Sequence, residues 1–503
     1  MQRILRSGQN AWCEPRTSGA GLLVDGDDYY RAFYVAAQEA KSHILLAGWQ
    51  FDSDACLLRG AEVEGAPLPV TLMKYLDALC ARTPTLRVYM LAWDFHAVFA
   101  LEREWMQDLR FKWMTSDRLQ FLFDSHHVEG GSHHQKFAVL DGQLSFLGGL
   151  DLCDHRWDDR THKDPNPLRV SRGEPHQPFH DVQAYLLGGE VGQQLTALFA
   201  RRWQAAGGAP LELPELDAVA AAQAFASFAP QGAVPLAAEQ VALSRTDPFG
   251  APDGPAECRE IAELYRSAIR SAERLIYLET QYFSSREMGE ELAQRLSSTQ
   301  GSLEVVVVLN IRGETFKEQV AVGLAQAKVI GELRQATAGT NNRLGVYYTV
   351  PDTNGGTEPE RGTYIHSKLL IVDDRFLTVG SANLTNRSVG VDTELNAALE
   401  TLETEDALGQ SIASARRSLL SEHLGVPDLD EGAGIVQQLD ELARHRRGRL
   451  RLHPSPTEDE RAVLDVIDPQ QLPFDPSAPE SRDEDHSIFV GGLSALFDRL
   501  LKA

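Results

Sequence analysis

Two histidine–lysine pairs are the residues in this chain best suited to chemistry. His134 and Lys136 flank Gln135, and His366 and Lys368 flank Ser367. If each triplet lies on a strand, alternation puts the imidazole and the ammonium on one side and the middle residue on the other. An imidazole beside an ammonium suits a phosphate diester. Two lysines neutralise the non-bridging oxygens. One histidine attacks phosphorus in line, and the other protonates the departing alcohol oxygen. The second then acts as base for an incoming water or alcohol. Because lysines supply the positive charge, no metal and no cofactor is expected.

The two pairs belong to an internal repeat. His134-Gln-Lys136 is followed by Phe-Ala-Val-Leu, Asp141, six residues and Gly148-Gly149. His366-Ser-Lys368 is followed by Leu-Leu-Ile-Val, Asp373, six residues and Gly380-Ser381. Every equivalent position is 232 residues apart, and upstream Leu46 matches Leu278 and Phe51 matches Phe283 in the same register. A lone His-x-Lys on a strand is ordinarily a polar strand edge; the second copy in register removes that reading.

The elements that must position these pairs follow the same repeat. Ile261, Leu264, Tyr265, Ala268 and Ile269 recur at helical spacing, and in the first half Asp27 or Asp28 is expected to cap a helix running to about Lys41. Apolar runs then read as strands: 43–49 and 275–283, 86–93 and 303–310, 118–124 and 343–350. The motif strand and a strand ending at the glycines complete each set. Continuous apolar strands alternating with helices predict an α/β fold, two repeated α-β-α sandwich halves with one active site shared between them. The expected boundaries are 1–205 for the first half and 206–237 for an Ala/Pro-rich connection. The second half is 238–425, opening with a strand in 241–249, and 426–503 is an extension of unassigned role.

These motifs resemble the phospholipase D superfamily. HSKLLIVDDRFLTVGSANLTNRS (366–388) is similar to that family's HxKxxxxD-x6-GSxN signature. HQKFAVLDGQLSFLGGLDLCDHRWDDRTH (134–162), PFHDVQAYLLGGEVGQQLTALFARRW (178–203) and LETQYF (278–283) resemble segments of true phospholipases D, and the likeness runs over roughly 20–425. The resemblance implies that His134 is the nucleophile and His366 the general acid and base. Lys136 and Lys368 hold the phosphate, and Asn383 and Ser381 of GSAN are substrate ligands. Asp151, at the position matching Asn383, departs from the pattern; an aspartate suits a bond to a histidine, a lysine or backbone better than a phosphate. An acid is expected behind each catalytic imidazole: Glu394 for His366, and Asp181 of PFHD for His134. Asp141 and Asp373, at the far end of the motif strand, are expected to be structural.

Other polar residues have plainer readings. His126, His127 and His133 read as loop histidines near the phosphate pocket rather than metal ligands. His180 is either a supporting group or packing. Arg156, Trp157 and His162 line the substrate entrance or anchor a loop.

Composition narrows the partner. The chain of 503 residues carries 72 acidic and 48 basic side chains, a formal charge of −24. That balance counts against a nucleic-acid partner and against tight docking on anionic membranes. Five scattered cysteines without a CxxC point to a reducing compartment. No apolar leader and no run of ~18 apolar residues is present. The expectation is a monomeric cytoplasmic enzyme, peripheral to membranes. Its substrate is a phospholipid at a membrane surface, and its acceptor is water or an alcohol. The alternatives are a cardiolipin synthase-like phosphatidyltransferase and a phosphodiesterase nuclease. The closing FVGGLSALFDRLL (489–501) is amphipathic and reads as packed against the core, with a place on a lipid surface as the alternative.

Overall fold

The computed structural model describes residues 2–94, 115–249, 257–312, 322–353, 355–356, 362–425, 434–455 and 475–476. Each motif strand lies inside a mixed sheet. The first sheet runs, in spatial order, Val234–Leu236, Gly19–Val24, Val182–Leu187, Leu144–Gly148, Phe137–Leu140, His43–Gly48, Arg87–Trp93 and Leu119–Asp124. The second runs Cys258–Arg259, Ala242–Asp247, Glu394–Glu400, Phe376–Gly380, Leu369–Val372, Leu275–Glu279, Glu304–Val308, Arg343–Thr349 and Leu450–Leu452. Leaving out the edge strands, the order is the same. In both, three parallel strands adjoin an antiparallel set that begins at the motif strand.

The apolar runs are continuous because both faces of each sheet are covered. Phe137 and Val139 enter a core shared by the two halves, while Ala138 and Leu140 face the outer helices of the first half. Leu369 and Ile371 enter the same shared core, and Leu370 and Val372 face the outer helices of the second. Helices Asp25–Ala37 and Leu72–Arg82 cover the first outer face. Glu260–Ser271, Arg286–Leu296 and Leu324–Ala336 cover the second. Strand Val182–Leu187 lies against Phe376–Gly380, and Glu394–Glu400 against Leu144–Gly148, so the halves meet sheet to sheet.

The motif aspartates close identical turns. Asp141 accepts the backbone N–H groups of Lys41, Ser42 and His43 at 2.7, 2.8 and 2.8 Å. Asp373 accepts those of Glu273, Arg274 and Leu275, each at 2.8 Å. Both aspartates have positive φ, 49° and 53°. They tie the start of the first parallel strand to the end of the motif strand.

Several local expectations shift. The first helix begins at Asp25 behind Val24, so Asp27 and Asp28 sit in its first turn, where they favour the helix dipole, and do not cap it. The connection 206–237 contributes helix Ala218–Phe225 and edge strand Val234–Leu236, which pairs with the first sheet. Ile4, Leu5 and Ala11, expected with the first half, pack in the core of the second. From the extension, helix Ile435–Arg444 and strand Leu450–Leu452 join the second sheet's edge. The segment FVGGLSALFDRLL lies outside the described residues. Among the described residues, no helix is long and apolar enough to cross a membrane.

Candidate active site

Short stretches that cross between the halves bring the two motifs together. Tyr364–Ile365 pairs in parallel with Phe179–His180, and His133 bridges Thr393. The N–H of His366 donates to the carbonyl of His180 at 2.8 Å, and that of His134 to the carbonyl of Thr393 at 2.9 Å. Each histidine is therefore fixed by the residue just before an acid of the other half.

The acids are exchanged relative to the expectation from sequence. His134 Nδ1 lies 3.0 Å from both carboxylate oxygens of Glu394. His366 Nδ1 lies 2.6 Å from Asp181 Oδ2. Glu394 thus serves the first motif and Asp181 the second. The chain positions that suggested the opposite pairing lie close in sequence, but the ladders between the halves put each acid beside the histidine across the interface. Gly149 makes room for this: a Cβ there would sit 2.1 Å from Asp181 Oδ1. Ser381, its repeat partner, instead donates its hydroxyl to Glu394. Ser381 is fully buried and supports an acid, so it is not placed to touch a substrate as the sequence implied.

Burial sets the protonation of the site. Desolvation raises the Glu394 carboxyl to about 8, and neighbouring Asp392 adds to the rise. Desolvation likewise raises Asp181 to about 6, against the opposing pull of Lys368. The imidazole of His134 is held well below its ordinary range by burial, then by Lys136 and Lys368. That of His366 is held low by burial, then by Lys368 and Arg156. Burial lowers the Lys368 ammonium to about 7. Several cations packed in a low-dielectric chamber repel one another, an arrangement relieved by an anion.

Lys136 Nζ pairs with Asp151 Oδ2 at 3.2 Å, and Asp151 Oδ1 accepts the backbone N–H of Trp49 at 2.9 Å. Asp151 is thus a counter-ion to a lysine and a backbone anchor. Lys368 Nζ and Asn383 Nδ2 both donate to Gln281 Oε1 at 3.3 Å, and Asn383 Oδ1 has no hydrogen-bond partner. Gln281, in LETQYF, was not singled out by the sequence; its offset match, Trp49, gives no hint of the role. Arg156, expected in an entrance or anchoring loop, is buried beside the second motif. Its NH1 donates to His366 Nε2 at 3.2 Å, and its NH2 is 3.7 Å from Asp151 Oδ2. Among the described residues, nothing hydrogen-bonds His134 Nε2, and the His134 side chain is 16% exposed against 6% for His366. His133 is a structural group: its Nε2 lies 3.1 Å from Asp124 and its Nδ1 3.0 Å from Thr393 Oγ1.

Known proteins share sequence and fold with this chain. A family model described as "Cardiolipin synthase, PLD-like domain" matches residues 265–414. Phospholipase D alpha 1 of Oryza sativa subsp. japonica is 26% identical, aligned over 84% of this chain and 67% of that protein. Phospholipase D alpha 3 of Arabidopsis thaliana is 25% identical over 83% of this chain and 65% of that one. The chain thus spans about two thirds of the length of these relatives. The crystal structure of phosphatidylserine synthase from Haemophilus influenzae Rd KW20 superposes with a TM-score of 0.53. It is 15% identical, covers 89% of this chain and 95% of its own, and shares the fold.

Proposed function

The chain belongs to the phospholipase D superfamily, and from that membership we propose an enzyme that cleaves or exchanges a phospholipid headgroup through a covalent phosphohistidine. The observation that carries the reading is the pair of crossed dyads, His134–Glu394 and His366–Asp181, beside Lys136, Lys368 and Arg156. In each dyad the histidine Nδ1–H donates to the acid, which keeps that proton on Nδ1 and leaves the Nε2 lone pair for chemistry.

The unengaged Nε2 favours His134 as nucleophile. Its lone pair attacks phosphorus as the bond to the headgroup oxygen breaks. In the resting site Arg156 donates to His366 Nε2, so that nitrogen carries a lone pair. A bound diester anion gives Arg156 and the lysines a better partner, and the freed His366 Nε2 takes up a proton from solvent to become the imidazolium. His366 then delivers its Nε2 proton to the departing alkoxide. In the second step His366 takes a proton from water or an alcohol, the acceptor oxygen bonds to phosphorus, and the P–N bond to His134 breaks. Lys136, Lys368 and the Asn383 amide hold the non-bridging oxygens.

The phospholipid substrate is supported by what the relatives are called, and a membrane surface follows from such a substrate. Five cysteines without disulfide partners fit the reading of a cytoplasmic enzyme. The test is one assay of purified protein on phosphatidylcholine, phosphatidylglycerol and single-stranded DNA, with and without ethanol. Cleavage of lipid with diversion of product to phosphatidylethanol is expected. Cleavage of DNA alone, or lipid cleavage with no ethyl ester at any alcohol concentration, rejects the reading.

A further inference from the structure

Behind the Asp181–His366 dyad lies a second cluster, which the reaction does not use. Asp25 starts the first helix, His162 lies in the loop after the first motif, His180 precedes Asp181, and Glu422 comes from helix Ala407–Leu424 of the second half. The four side chains are at most 2% exposed. One donor atom from each lies within 4.8 Å of all the others. His180 Nδ1 is 3.0 Å from Asp25 Oδ1 and 2.7 Å from Glu422 Oε1. His162 Nε2 is 3.5 Å from Asp25 Oδ2 and 3.2 Å from Glu422 Oε1.

We propose that these four residues form a closed, tetrahedral binding site for a divalent zinc ion. Ligands about 2.0–2.1 Å from zinc stand roughly 3.3 Å from one another, and the four histidine–carboxylate distances here, 2.7 to 3.5 Å, bracket that value. Two carboxylates and two neutral imidazoles also balance the charge of the ion. Two donors point to the same conclusion. His180 Nδ1 and Asp25 Oδ2 are buried and make no hydrogen bond, despite the short distances around them. Donors aimed at a common centre, not at one another, have this property. Asp25 has positive φ, 66°, where strand Gly19–Val24 turns into the first helix, and this turn carries its carboxylate to the cluster.

The surroundings match those of a zinc site as well. Metal-bound histidines usually give their other ring N–H to a carboxylate, which fixes the tautomer. His162 Nδ1 lies 2.9 Å from Asp158 Oδ2, and His180 Nε2 lies 3.0 Å from Glu279 Oε2. Arg160 Nε donates to Glu422 Oε2 at 2.5 Å. The ion serves to pin three segments of the first half to a helix of the second, next to Asp181. It is a clamp, and no bond-making step passes through it.

The experiment uses the full chain grown with zinc and purified without a metal column. Elemental analysis should find close to one zinc per chain. His162→Gln and Asp25→Asn, checked for folding by near-ultraviolet circular dichroism, should each lower occupancy at least tenfold at fixed free zinc. His155→Gln, at a partly exposed histidine outside the cluster, should retain it. If the two ligand variants fail to fold, protein grown in cobalt decides: strong visible absorption of tetrahedral cobalt is expected. Wild-type protein without stoichiometric metal at full thermal stability overturns the site and leaves an imidazolium–carboxylate network only. Zinc kept by both folded variants, another ion at one equivalent, or a weak octahedral cobalt spectrum also overturns it.

Discussion

Removing the acid behind one histidine should stop one half of the reaction and not the other. A p-nitrophenyl ester leaves without help from an acid, so its first step needs only an oriented nucleophile. Glu394→Gln should therefore suppress adduct formation, because Glu394 holds His134. Asp181→Asn should form the adduct and stall, because Asp181 holds the base of the second step. Each substitution should lower steady-state turnover by about two to four orders of magnitude. Intact-protein mass after a rapid quench near neutral pH checks the assignment, and stalling by Glu394→Gln with no adduct in Asp181→Asn reverses it. A second residue-scale expectation concerns pH. Lys368 is lowered to about 7 by burial, so its ammonium is present below that pH and lost above it. Binding of a dialkyl phosphate, which keeps one negative charge throughout, should weaken as pH rises through 7, by up to about tenfold per unit. Calorimetric affinities that stay flat from pH 6 to 9 would contradict this. The four motif residues were legible because chemistry requires their types at short spacing. The pairing of acids was not, since a contact across 260 positions leaves no local pattern. Gln281 and the placement of Arg156 were hidden for the same reason.

At the scale of the element, the turns closed by Asp141 and Asp373 should matter for stability and little for chemistry. Each carboxylate accepts three backbone donors that no other group satisfies in the same place. Asp141→Ala and Asp373→Ala should each destabilise their half by about 2–4 kcal/mol, since buried and part-buried donors lose their acceptor together. Thermal melts should fall by several degrees, while activity per folded molecule stays within a few-fold of the parent. An unchanged melting temperature for both would show that water replaces the carboxylates without cost. Strands were the readily legible elements: 43–48, 87–93, 275–279 and 304–308 are apolar but for one end residue each, because both faces are covered. Strand Gly19–Val24 was missed because its glycines weaken the pattern, and its neighbour across the sheet, Val182–Leu187, is remote in sequence. The first helix was placed late because acids in a first turn look like caps from sequence alone.

Taken whole, the molecule carries a charge of −24 and is proposed to work at a lipid surface. Anionic vesicles should repel it at low ionic strength, and salt should relieve the repulsion as the screening length shrinks from about 30 Å to about 8 Å. Turnover on phosphatidylglycerol relative to phosphatidylcholine should therefore rise with sodium chloride between about 10 and 150 mM. A falling ratio would indicate a local basic face that net charge conceals. The duplication made the overall architecture legible, but the way the halves share one core was not, because packing between repeats is not written in either repeat. The crossed dyads also affect how the protein is made. His134 leaves the ribosome 260 residues ahead of Glu394. At about 5–20 residues per second that interval is roughly 13–50 seconds. Throughout it the nascent chain holds a nucleophile without the partner that aims it, and His366 stays unarmed until its own half has docked. Synthesis itself thus acts as a safety catch, keeping the proposed phosphodiester-cutting site inert until Glu394 has been made and the second half has docked.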